Sequence, residues 1–69
     1  MKTLIISVYD SFWNYSVFPD TEDEKKIYDL YQWCDDEAIL KEYGNKYDVI
    51  IACVDGSINI IKGAEHLHG

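Results

Sequence analysis

Apolar and polar positions alternate from Thr3 to Tyr9, with Leu4, Ile6 and Val8 on one side and Thr3, Ile5, Ser7 and Tyr9 on the other. A period of two is that of a strand with one face turned inward. The run from Phe12 to Phe18 repeats it, setting Trp13, Tyr15 and Val17 against Asn14 and Ser16. Asp10-Ser11 between the two runs predicts a hairpin, although it lacks the glycine that two-residue turns favour. Pro19 closes the second strand.

The period then changes. Thr21-Glu22-Asp23-Glu24 fits a capping box, in which Thr21 and Glu24 satisfy each other's free backbone N–H groups and open a helix. Acids in the first turn also suit the positive end of the helix dipole. Ile27, Leu30, Tyr31, Cys34 and Ala38 follow on one stripe at helical spacing. At about 100° per residue, Ile39, Leu40 and Tyr43 lie roughly 100–220° from that stripe, so one straight helix would expose them. A break near Asp35-Asp36 resolves this, with Asp36 capping a second short helix that ends at Gly44 in a left-handed C-terminal position. The alternative is one continuous helix whose far side a partner covers.

Tyr47 to Val54 and Ser57 to Lys62 flank Asp55-Gly56, a strong two-residue hairpin signal. A literal two-residue turn sets Cys53 opposite Ile58, Ile51 opposite Ile60, Ala52 opposite Asn59 and Ile50 opposite Ile61. The Cys53–Ile58 and Ile51–Ile60 pairs are then expected on the core face, and Ile50, Ile61, Phe12 and Phe18 on the other. Together these elements predict an α+β fold: a four-stranded antiparallel sheet in ββαββ order, with one helix, or a helix broken near Asp35-Asp36, packed on one face. Residues 1–63 form the expected single domain and 64–69 a C-terminal tail.

With 69 residues, the chain buries only about 60% of the surface its unfolded form exposes, which leaves little core to spare for a deep cleft. Cys34 and Cys53 stand in no metal-ligand spacing and provide no disulfide framework, as expected for free thiols in a reducing compartment. The N-terminal apolar run is short and ends in Tyr9-Asp10, so it reads as a strand and not a signal peptide. No stretch is long enough to cross a bilayer. A cytoplasmic protein is expected, in a host's cytoplasm if the chain is viral.

Charge changes the picture most. Thirteen acidic residues face six basic ones, for a net charge of −7, and all six bases are lysine. The absence of arginine removes the side chain best suited to bidentate phosphate contacts, which argues against direct nucleic-acid binding. Between Asp20 and Glu37, eight carboxylates stand against Lys25 and Lys26, so this segment holds −6 of the −7. The two Trp, six Tyr and two Phe are more large rings than so small a core covers, so some are expected at the surface.

Other candidate chemistry is weak. His66 and His68 beside Glu65 could reach one metal ion, but a metal site needs three or four ligands held by a second layer of contacts. Asp35-Asp36-Glu37 lies in a polar, solvated stretch, unlike a carboxylate tuned for acid–base catalysis. Cys34 and Cys53 fall at packing positions, and no glycine-rich phosphate loop occurs. No catalytic residue, metal site or cofactor is expected.

A row of carboxylates can imitate the spaced charges of a nucleic-acid backbone and occupy a basic groove. The leading expectation is therefore an inhibitor or regulator, not an enzyme. Glu22, Asp23, Asp29, Asp35, Asp36 and Glu37 would dock on a basic protein or nucleoprotein complex, with Tyr28 and Trp33 as aromatic anchors. In size and charge the chain resembles phage-encoded inhibitors of host polymerases, restriction enzymes or CRISPR complexes, an analogy without a shared motif. Two alternatives stand beside it: an antitoxin-like neutraliser of a basic toxin, and a structural or assembly subunit that forms a homodimer through the outer sheet face.

Overall fold

The computed structural model describes residues 1–9, 14–32 and 36–67. Its elements are β1 (Thr3–Tyr9), β2 (Asn14–Phe18), α1 (Glu24–Gln32), α2 (Asp36–Tyr43), β3 (Val49–Val54) and β4 (Ser57–Lys62), followed by a 3-10 turn at Ala64–Leu67. The strands form one sheet in the order β2-β1-β3-β4. β1–β2 and β3–β4 are antiparallel, but β1 and β3 run side by side in parallel.

The architecture is thus ββααββ with a mixed sheet, which corrects the expected all-antiparallel ββαββ sheet with one helix. The reason lies in the connection: β2 and β3 are joined by a long helical crossover, which carries the chain back over β1 and lays β3 beside it in the same direction. β3 is apolar on both faces throughout Val49–Val54, and β1 adds Ile5 on its second face to the apolar Leu4, Ile6 and Val8 of its inner one. Strands with neighbours on both sides tolerate that composition. The parallel pair is pinned where it starts. The Lys2 N–H donates to the Asp48 carboxylate at 2.8 Å, while the Asp48 and Val49 N–H groups donate to the Lys2 carbonyl at 2.8 and 3.1 Å.

The helical layer departs from expectation at its start. Thr21 Oγ1 accepts the Asp23 N–H at 3.1 Å, and the Thr21 carbonyl accepts the Glu24 N–H at 3.2 Å. This is a turn ahead of the helix and not a Thr21–Glu24 capping box. Asp23 takes the cap position, its carbonyl receiving the Ile27 N–H at 2.8 Å. α1 ends at Gln32 and α2 begins at Asp36, and this interruption resets the helical phase. Ile39 and Tyr43 consequently join Ile27 in the core, at 0%, 2% and 0% exposure. Gly44 follows α2 without a left-handed φ, a second correction. A Cβ there would strike the Leu40 carbonyl, so the need for glycine is steric.

The core lies between the helices and one sheet face. Leu4, Ile6, Val8, Val17 and Ile50 meet Ile27, Ile39 and Tyr43, and Leu30, Tyr31 and Ile61 pack at the margin. The β3–β4 turn has Asp55 at φ 47° and Gly56 at φ 89°, the two positive values of a tight primed hairpin. Cys53 faces Ile58, Ile51 faces Ile60 and Ala52 faces Asn59 as expected, but a bulge then sets Ile50 opposite Lys62 instead of Ile61.

The two faces of this hairpin are the reverse of those expected. Ile50 is fully buried and Ile61 packs against the helix-side core, whereas Ile51, Cys53, Ile58 and Ile60 lie on the opposite face. The neighbouring strand decides this: β3 lies beside β1 with Leu4 and Ile50 in one row and Ile6 and Ala52 in the next, so the inward face of β1 imposes its phase on β3. Phe18 does lie on the outer face, in the row of Ile5. Phe12, Trp13 and the Asp10-Ser11 turn are outside the described residues.

Candidate protein-binding faces

The acidic residues belong to the helical layer. Glu22 and Asp23 are exposed in the turn before α1, and Asp36 and Glu37 are exposed in the first turn of α2. Lys26, early in α1, lies 3.3 Å from Glu42, late in α2, so the helices run antiparallel. The two acidic groups are therefore separated by about the length of α1, roughly 14 Å at 1.5 Å per residue. Asp29 is partly covered and bonded to Lys25 at 2.8 Å. That hydrogen bond, and then the charge of Asp29, raise the Lys25 pKa above the ordinary lysine value. Asn59 Nδ2 donates to Asp36 at 3.4 Å.

Lys25 and Lys26 are thus directed to Asp29 and Glu42. Among the described residues Glu22, Asp23 and Glu37 have no basic partner. Trp33 and Asp35, also expected at this face, lie outside the described residues. Tyr28 is placed differently from an exposed anchor: its ring stacks on Tyr15 with centroids 3.8 Å apart and planes 10° from parallel. It ties α1 to β2 at the edge of the core.

The face of the sheet away from the helices carries a second candidate. Phe18, Ile5, Ile51 and Ile60 form one row across all four strands, and Ser16, Ser7, Cys53 and Ile58 form the next. Thr3, Val49, Tyr9 and Asn14 complete it. No residue in these rows is charged. Phe18, Tyr9, Ile58 and Ile60 are 65%, 48%, 71% and 41% exposed, while Val49 is buried beside Gly63. Reading β3 and β4 in the opposite phase concealed this face. The signal that reveals it is the unbroken apolar run Val49–Val54, which marks a central strand with two apolar faces.

Elsewhere the described residues bring little chemistry together. Lys62 Nζ donates to the carbonyls of Gly44 and Tyr47, the latter at 3.0 Å, which satisfies two carbonyls of the segment between α2 and β3. An open cleft lined by Met1, Lys2, Thr3, Phe18, Pro19, Asn45, Lys46 and Tyr47 contains two lysines and no carboxylate, so it is separate from the acidic face. Tyr43 has its pKa raised, chiefly by burial, and Lys46 sits 5.3 Å from its ring centre. His66 Nε2 lies 3.7 Å from Glu65, and His68 is outside the described residues. Among the described residues no charged side chain is buried, no three metal-ligating side chains cluster, and no helix is long and apolar enough to cross a membrane.

The fold and these two faces define a two-layer α+β module. No family model, curated protein or solved structure matches the chain.

Proposed function

We propose that this protein acts by binding and not by catalysis, as an inhibitor or regulator whose acidic helical layer occupies a basic, nucleic-acid-binding surface of a target enzyme or nucleoprotein complex. The observation that carries the reading is the charge distribution: −6 of a net −7 lies between Asp20 and Glu37, with Glu22, Asp23, Asp36 and Glu37 exposed at the two ends of the helical layer. Carboxylates held at the starts of short helices are pre-positioned, and a basic groove that normally binds phosphates would attract them at a distance. The protein would work in the cytoplasm, a host's cytoplasm if it is phage-encoded, in the manner of anti-CRISPR, anti-restriction or polymerase inhibitors. Trp33 would serve as the aromatic anchor; Tyr28, stacked on Tyr15, supports the helix.

The test is capture from native or host extract at low and high salt, followed by an activity assay on the captured enzyme. A basic nucleic-acid enzyme should be retained at low salt, released at high salt, displaced by DNA or RNA, and inhibited by the pure protein. Reversing two charges with Asp36→Lys and Glu37→Lys should weaken binding by roughly 10- to 100-fold. Unaltered, salt-independent binding by that variant would overturn the reading.

A further inference from the structure

We infer that the uncharged sheet face is a self-association surface, on which a second copy of this chain packs face to face to make a four-layer helix–sheet–sheet–helix dimer. This goes beyond the acidic-face reading and uses none of its residues. Three observations select a second copy as the occupant.

The first is area. Tyr9, Phe18, Ile58 and Ile60, at the exposures given above, leave on the order of 450 Å² of large side chain in water, taking about 200 Å² for each when free. With the partly exposed Ile5, Ser7, Ile51 and Cys53 the face offers roughly 600–700 Å² per copy. That is at or just above the top of the roughly 300–600 Å² range of the largest patch on a typical monomer, which is often functional. Paired with its equal it gives roughly 1,200–1,400 Å² in total, within the range of specific interfaces.

The second is charge. Two copies of a protein of net −7 repel least when their charges are kept apart, and the rows Phe18–Ile5–Ile51–Ile60 and Ser16–Ser7–Cys53–Ile58 contain no charged residue. Packed sheets lie about 10 Å apart, and each helical layer stands about 10 Å behind its own sheet, so the acidic layers of the two copies end up roughly 30 Å apart. At physiological ionic strength that is several Debye lengths of about 8 Å. Face-to-face sheet packing therefore avoids the repulsion that an approach of the helical faces would incur.

The third is shape. Ile and Phe side chains in a row across all four strands make the ridged apolar surface that two sheets interdigitate in a sandwich. A two-fold axis through the sheet centre sets the same patch against itself, as a closed dimer requires.

Sedimentation velocity across a concentration series tests the pairing. The unmodified protein should form dimers at low micromolar concentration, and the dimer should persist at high salt because no ion pair holds it. Ile58→Lys with Ile60→Lys, both at exposed positions on the edge strand, should raise the dimer dissociation constant at least about 100-fold while circular dichroism remains unchanged. Should that variant misfold, alkylation of Cys53 in the unmodified protein gives an independent readout, with peptide mapping to separate it from Cys34. Its rate should fall as the dimer fraction rises. A protein that stays monomeric up to about 0.5 mM, with Cys53 alkylation independent of concentration, would overturn the inference. So would a dimer unaffected by the lysine substitutions, or a different protein found on this face while the chain itself remains monomeric.

Discussion

Tyr28 illustrates how a residue's environment decides its role. On helical periodicity it falls outside the stripe of Ile27, Leu30 and Tyr31, which suggests an exposed ring. In the folded chain β2 extends under α1, and Tyr15 meets Tyr28 in a parallel stack at 3.8 Å. Stacked rings contribute about 0.5–1.5 kcal/mol beyond the area they bury. Tyr28→Ala should therefore lower unfolding stability by about 2 kcal/mol in urea titration, and Tyr28→Phe, which keeps the ring, by no more than about 0.5. Equal losses for the two variants would show that the hydroxyl and not the stack matters. Gly63 is constrained by backbone instead: its φ is +85°, and a Cβ would run into the Asp48 carbonyl and crowd Val49. Gly63→Ala should cost about 2 kcal/mol or more by the same measurement, whereas a neutral outcome would mean that the chain after β4 can rearrange freely.

At the scale of elements, the clamp between Lys2 and Asp48 fixes the register of the parallel strands. The Asp48 pKa is lowered first by the Lys2 backbone N–H, with smaller contributions from the N-terminus, His66 and Lys62. A carboxylate whose pKa falls on folding contributes stability at pH above its unfolded value, and that contribution disappears as pH drops through the lower folded value. Stability followed from pH 6 to pH 2 should thus decline less steeply for Asp48→Asn than for the unmodified protein. An NMR titration should place the Asp48 midpoint below the ordinary 3.8. Parallel pH profiles for the two proteins would indicate that the clamp survives protonation.

Local elements were readable because local chemistry sets them. The alternation Leu4-Ile6-Val8, the Asp55-Gly56 turn and the misphasing of Ile39 and Tyr43 each point to the structure found. Strand order was not, since the hairpin signals at either end say nothing about which strands of different hairpins become neighbours. The parallel β1–β3 contact and the faces of β3 and β4 depend on that choice. Of the expected acidic face, Glu22, Asp23, Asp36 and Glu37 are exposed as a charge run should be, whereas the pairing of Lys25 with Asp29 and the stacking of Tyr28 depend on neighbours that spacing alone cannot supply.

For the whole molecule, the order β2-β1-β3-β4 also bears on how the chain reaches its fold. Each outer strand belongs to a hairpin that can form from neighbouring sequence, but the central seam joins residues of β1 to partners 46 positions further on, as in Thr3 with Val49, and such distant contacts are slow to close. During synthesis the first hairpin emerges without its neighbour, and the edge of β1 that pairs with β3 stays open until β3 leaves the ribosome. The helices, made in between, give early cover to Leu4, Ile6 and Val8. Partly made chains are therefore the stage most exposed to aggregation, and a pause in translation before Val49 would prolong it.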